Sequence, residues 1–118
     1  MTDQIMTDQI LRQLAGTFAA RRAESADSSY TRQLLDAGPK RCARKFGEEA
    51  VEAVIAALAE DDAALANEAA DVIYHLLVLL EARHVAIDDV LAILHGRMGT
   101  SGLAEKAARA AQPKPHGA

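Results

Sequence analysis

Residues Pro39 to Arg83 read PKRCARKFGEEAVEAVIAALAEDDAALANEAADVIYHLLVLLEAR, and this stretch decides the fold. Gly38 is suited to stopping a helix and Pro39 to opening one, because the N–H that proline lacks would be unpaired there anyway. From Pro39 to about Glu60, Val51, Val54, Ile55 and Leu58 recur at helical intervals, with Glu48, Glu49 and Glu52 on the neighbouring arc. Asp61 and Asp62 can cap a second long helix that continues to about Arg83. Its apolar side is Leu65, Val72, Leu76, Leu79 and Leu80, with Glu68 and Asp71 at the edge of that stripe. A short link between two long helices makes them antiparallel neighbours, and if both stripes face one core, their acids meet at its rim.

Those acids follow a pattern: Glu48-Glu49-x-x-Glu52, fifteen residues, then Glu68-x-x-Asp71. Positions three apart share a helix face, so each half carries two carboxylates about one turn apart. Four such groups around one small volume repel one another unless a hard cation lies between them, and all-oxygen ligands suit Mg²⁺ or Mn²⁺. The competing reading is a solvated acidic face, since Glu is a good helix former and acidic clusters on helices usually face water.

Working outward, Ile10, Leu11, Leu14 and Phe18 space a first helix over Ile5 to Ala20. Glu24 to Ser29 reads as a loop, and Tyr30 to Ala37 as a short helix stopped by Gly38. Asp88 caps a fifth helix through about His95; Gly96, Gly99 and Gly102 then interrupt the chain before a last helical segment, Leu103 to Ala110. The expected fold is all-α, an antiparallel bundle of about five helices over residues 10–110. Residues 1–9, which hold a duplicated MTDQI, read as an N-terminal extension, and 111–118, with two prolines, as a disordered tail.

The 118 residues suffice for one domain. Twenty-six are Ala and only four are aromatic, Phe18, Tyr30, Phe46 and Tyr74, so the core is thin and a homodimer is expected, through Leu76, Leu77, Leu79 and Leu80. The net charge of −4 argues against general nucleic-acid binding. The run Val72 to Leu80 is interrupted by Tyr74-His75 and is too short for a membrane span, and no signal peptide is evident. The single cysteine, Cys42, cannot form an internal disulfide and reads as a packing residue in a reducing compartment. A cytoplasmic protein is expected.

The basic run Lys40-Arg41-x-x-Arg44-Lys45 directly precedes the first acids. It suits a substrate bearing several phosphates, for which a metal bridges some oxygens and cations neutralise others, with Lys45 the best placed. His75 falls four residues after Asp71 and so lies on the carboxylate face, as a packing histidine or behind the ligands or against substrate. Neither a GxxxxGK[ST] nor a GxGxxG phosphate loop is present.

Four segments carry a resemblance: Ser29-Tyr30-Thr31, Arg44 to Glu52 (RKFGEEAVE), Glu68 to Leu80 (EAADVIYHLLVLL) and Ser101 to Lys106 (SGLAEK). Together they resemble the stand-alone phosphoribosyl-ATP pyrophosphohydrolases of histidine biosynthesis, over about Ile10 to Arg109. The two acidic motifs alone resemble only the wider, all-α MazG-like superfamily. The resemblance implies Mg²⁺-dependent hydrolysis of phosphoribosyl-ATP to phosphoribosyl-AMP and pyrophosphate. It implies Glu49, Glu52, Glu68 and Asp71 as metal ligands and Glu48 as the residue that supports a ligand or orients the attacking water. For so anionic a substrate Lys45, Lys106 and Arg109 are the candidate phosphate and phosphoribosyl contacts, and His75 is a further candidate substrate contact from its place on the carboxylate face. Phe46 and Cys42 depart from it, standing where aliphatic residues are expected. Two rivals stay open: a pyrophosphohydrolase of ordinary or damaged nucleoside triphosphates, and a non-catalytic helical interaction module.

Overall fold

A computed structural model describes residues 2–22 and 29–98 and four further positions, 106, 107, 109 and 110; side chains are described from residue 9 onward. The expected tail, most of the Glu24–Ser29 loop and half of the last helical segment lie outside these residues. All regular structure among the described residues is helical: α1 Thr2–Arg21, α2 Tyr30–Ala37, α3 Pro39–Ala59, α4 Asp62–Ala82 and α5 Ile87–Arg97. The all-α expectation holds, and α1 starts three residues earlier than the periodicity suggests.

Local chemistry sets the boundaries. The Ser29 hydroxyl accepts from the Arg32 N–H (3.1 Å) and caps α2, and the Asp61 carboxylate accepts from the Ala64 N–H (2.9 Å) and caps α4. Each such cap contributes about 1 kcal/mol. Gly38 ends α2 with φ +91°, a conformation that a side chain disfavours, and Pro39 begins α3. Helix α4 ends in paired bonds, His84 N–H to Glu81 O (3.1 Å) and Val85 N–H to Leu80 O (2.9 Å), with His84 at φ +57° in the place usually held by Gly. Asp88 sits inside the first turn of α5 rather than capping it.

Contacts divide the chain into two units, residues 1–87 and 88–118. In the first, α3 and α4 pack along one another as an antiparallel hairpin with only Glu60 and Asp61 between them, and α1 and α2 lie against α4. The core comprises Phe18, Leu34, Leu35, Cys42, Leu77 and Val78, with Leu11, Leu14, Tyr74, Leu79 and Leu80 packed around it. Arg22 fixes the end of α1 to the end of α4: its Nε donates to Glu81 Oε1 and its Nη2 to the Glu81 carbonyl, both at 2.7 Å. Cys42 is a packing residue, as expected; its thiol donates to the Leu34 carbonyl (3.2 Å), and burial pushes its pKa up. By length and composition alone α4 could cross a membrane, whereas here α1, α2 and α3 all pack on it. The second unit contains α5, with Asp88 and Asp89 in its first turn and His95 and Arg97 in its last, matching the helix dipole.

Two expectations are corrected. The α3 stripe does not enter the core: Val51, Val54 and Ile55 are each over half exposed and Leu58 is 84% exposed. The buried residues of α3 are Cys42 and Ala56, seven residues either side of Glu49 and hence on its face, about 180° from the apolar stripe. Small side chains let α3 approach α4 closely, so α3 turns Glu49, Ala53 and Ala56 inward and its valines outward. Leu77, expected at a dimer interface, is 3% exposed within the core of a single chain.

Candidate metal centre

Helix α3 brings Lys45, Glu49 and Glu52 to the α4 side at positions i, i+4 and i+7, and α4 answers with Glu68, Asp71 and His75 at i, i+3 and i+7. One carboxylate oxygen each from Glu49, Glu68 and Asp71 lies within 4.8 Å of the other two. Glu52 stands beside them on α3, and its charge helps to raise the carboxyls of both Glu49 and Glu68. Three of the four predicted ligands, Glu49, Glu68 and Asp71, therefore converge, and the α3 face that carries Glu49 is packed against α4 instead of bordering an apolar core.

The electrostatics follow from this crowding. Burial is the largest cause raising the Glu49 carboxyl above its ordinary value; the Glu52 hydrogen bond and charge and the Asp71 charge add to it, and His75 opposes it. Glu68 is raised by burial first, then by the charges of Glu52 and Asp71. Its Oε2 is closed off from solvent and has no hydrogen-bond partner. An orphaned buried acceptor beside other carboxylates is costly, and a hard cation is the partner that all-oxygen ligands of this kind satisfy. The residues present fit Mg²⁺ or Mn²⁺.

Around the cluster the predicted residues separate. Lys45 Nζ is 3.2 Å from Glu48 Oε2 and 3.9 Å from Glu49 Oε1, so it links the cluster to Glu48, whose half-exposed side chain stands outside the convergent set. Glu48 is the main cause that raises the Lys45 pKa. His75 is buried; its Nδ1 lies 2.9 Å from the Asp71 carbonyl, which can only accept, so Nδ1 carries the proton and Nε2 faces the Tyr30 hydroxyl at 3.5 Å. Lys106 and Arg109 are helical and exposed and belong to the second unit.

The spacing of the acids gave no role to the residues supporting this centre from α2. Thr31 and Tyr74 share a 2.5 Å hydroxyl contact, and the Tyr30 ring lies 6.2 Å from His75 and 6.5 Å from Tyr74, nearly parallel to the latter. Phe18 meets Tyr74 edge-on at 5.0 Å. Three of the four aromatic residues in the chain thus gather behind His75, and the pairing of Ser29-Tyr30-Thr31 with Tyr74-His75 was visible only as two motifs.

Fold and site define an all-α protein whose central hairpin gathers four carboxylates of the kind a hard divalent cation neutralises. The profile of the Phosphoribosyl-ATP pyrophosphohydrolase family matches residues 11–98. Proteins called phosphoribosyl-ATP pyrophosphatase are similar to the chain: one from Ruegeria pomeroyi is 59% identical over 100 residues, 85% of this chain and 95% of its own length. Another, from Cereibacter sphaeroides, is 58% identical over 100 residues, 85% and 97% of the two chains. A third, from Rhodobacter capsulatus, is 59% identical over 99 residues, 84% and 96%. The chain belongs to the phosphoribosyl-ATP pyrophosphohydrolase family. The profile match stops short of the Ser101–Lys106 segment.

Proposed function

We propose that the chain hydrolyses phosphoribosyl-ATP to phosphoribosyl-AMP and pyrophosphate, the second step of histidine biosynthesis, with Glu49, Glu52, Glu68 and Asp71 holding Mg²⁺ or Mn²⁺. The observation that carries this reading, beside the family, is the convergence of Glu49, Glu68 and Asp71 within 4.8 Å around the orphaned Glu68 oxygen. When bound, the cation supplies positive charge to the phosphate oxygens as the bond between the α- and β-phosphates breaks. Glu48 accepts the proton of the attacking water, its half-exposed carboxylate being held beside the cluster by Lys45 through Oε2. Lys45 exchanges its carboxylate partners for a substrate phosphate, one anion for another, so substrate meets an ammonium already held in place. His75 acts from behind, its Nδ1–H on the Asp71 carbonyl fixing the turn that presents the Asp71 side chain.

The direct test is pyrophosphate release from phosphoribosyl-ATP, ATP, dCTP and dUTP, with Mg²⁺ and with EDTA. Release from phosphoribosyl-ATP above the other three, dependent on Mg²⁺, is the expected result. A preference for dCTP or dUTP would establish the nucleoside triphosphate reading instead.

The active assembly in this reading is a homodimer in which α3 of one copy packs on α3 of the other. Support comes from Val51, Val54, Ile55 and Leu58, which form one exposed apolar face. Leu58→Lys is expected to shift the sedimenting mass at micromolar concentration from two copies to one without loss of helicity, because the side chain occupies no cavity in the single chain. A wild-type protein that sediments as a 12.6 kDa monomer would remove this element.

A further inference from the structure

We infer that the hollow between α1, the start of α2 and α4 is the subsite for the ribosyl phosphate borne by the purine of the substrate, with Arg21 on the phosphate and Tyr30 beside the base. The inference rests on the phosphoribosyl-ATP reading above. The hollow has a volume of about 350 Å³, within the range of small-ligand sites. Leu14 and Phe18 give it an apolar wall, Tyr30 and Tyr74 two aromatic rings, Thr17 and Thr31 hydroxyls, and Arg21 a guanidinium; among the described residues no carboxylate lines it.

Position and charge both support the assignment. Tyr30 touches His75, and His75 lies one turn of α4 beyond Asp71, so one helical turn plus one ring contact, roughly 10 Å, leads from the carboxylates to the edge of the hollow. That is about the reach of a nucleoside. Phosphoribosyl-ATP is anionic at two ends, a triphosphate and a separate 5′-phosphate, and a protein that distinguishes it from ATP must read the second end. The carboxylate centre with its cation suits the triphosphate. Arg21, at the end of α1, carries five N–H donors and can turn a pair of them to the 5′-phosphate while it exchanges or keeps its partner in the single chain, and the half-exposed ring of Tyr30 presents an aromatic face to the purine. A second cavity of this unit, about 220 Å³ beside Leu77, Leu80 and Ile87, has Glu81 as its charged lining residue and so disfavours phosphate.

Steady-state kinetics in Mg²⁺ for wild type, Arg21→Lys, Arg21→Gln and Tyr30→Leu test the assignment, with ribose 5-phosphate as a competing probe. Arg21→Gln is expected to raise KM for phosphoribosyl-ATP roughly tenfold or more, by a larger factor than any change in kcat. It should lower the preference for phosphoribosyl-ATP over ATP by a similar factor and abolish inhibition by ribose 5-phosphate. Arg21→Lys should fall between, since an ammonium keeps the charge and loses the planar pair of donors. Tyr30→Leu should raise KM while ribose 5-phosphate still inhibits. Circular dichroism of each variant checks that α1 and α2 remain folded. Wild-type turnover of phosphoribosyl-ATP with KM and preference unchanged within about twofold in both Arg21 variants would overturn the subsite and leave the hydrolysis reading standing. A wild type that releases no pyrophosphate from phosphoribosyl-ATP overturns both.

Discussion

Glu49→Gln, Glu52→Gln, Glu68→Gln and Asp71→Asn are each expected to lower kcat for pyrophosphate release by on the order of 100-fold or more while helicity stays the same. Each change removes one negative charge from the convergent set without altering side-chain volume, so no cavity opens and the α3–α4 packing survives. Glu60→Gln, on the exposed residue that ends α3, supplies the control and should stay within about twofold of wild type. Glu68→Gln carries a second signature. Its amide can donate to a neighbouring carboxylate where the native Oε2 has no partner, so this variant should melt higher than wild type in EDTA. If all four variants keep activity within about twofold of wild type, the carboxylates are not the reaction centre.

The second large effect is a reversal of pH dependence by metal. Folding raises the Glu49 and Glu68 carboxyls above their ordinary value of 4.5, chiefly through burial, with the neighbouring carboxylates adding to it. Between the unfolded and folded values the native chain binds more protons than the unfolded one, so the stabilisation these groups give is complete below the ordinary value and is lost as pH rises through the raised ones. In EDTA the protein should therefore become more stable as pH falls from neutrality toward the ordinary carboxylate range. With saturating Mg²⁺ the trend reverses: metal stabilises the folded form by mass action at neutral pH, and protons compete with it as pH falls. Melting temperatures across this range, with EDTA or Mg²⁺, report both slopes. Parallel curves in the two conditions would show that the carboxylates bind no cation.

Which parts of this design are legible in the sequence depends on the range of the interactions. Gly38-Pro39 and Asp61 announce helix ends because each acts on its own backbone, and the structure ends α2 and starts α3 and α4 there. The grouping of Glu49, Glu68 and Asp71 is equally readable, since i+3 spacing and a short link leave little freedom. The orientation of α3 is not. Hydrophobic periodicity weights Val51, Val54, Ile55 and Leu58 heavily and Ala53 and Ala56 hardly at all, yet close approach of two helices favours the small residues. The docking of Tyr30 and Thr31 onto Tyr74 and His75 joins residues more than forty positions apart, which no local pattern specifies.

The two-residue link at Glu60 and Asp61 has a kinetic consequence. All four acids fall within 23 consecutive residues, 49 to 71, on a hairpin closed by only two residues, Glu60 and Asp61. Bringing them together costs little chain entropy and requires neither α1 nor α2, so the centre can assemble at the rate of a local helical hairpin, ahead of the long-range contacts that complete the core. Charge repulsion among the four acids opposes that early pairing in metal-free solution. A divalent cation would then act on the refolding chain as a nucleating agent, selecting the register of α3 against α4 before the rest of the protein has docked.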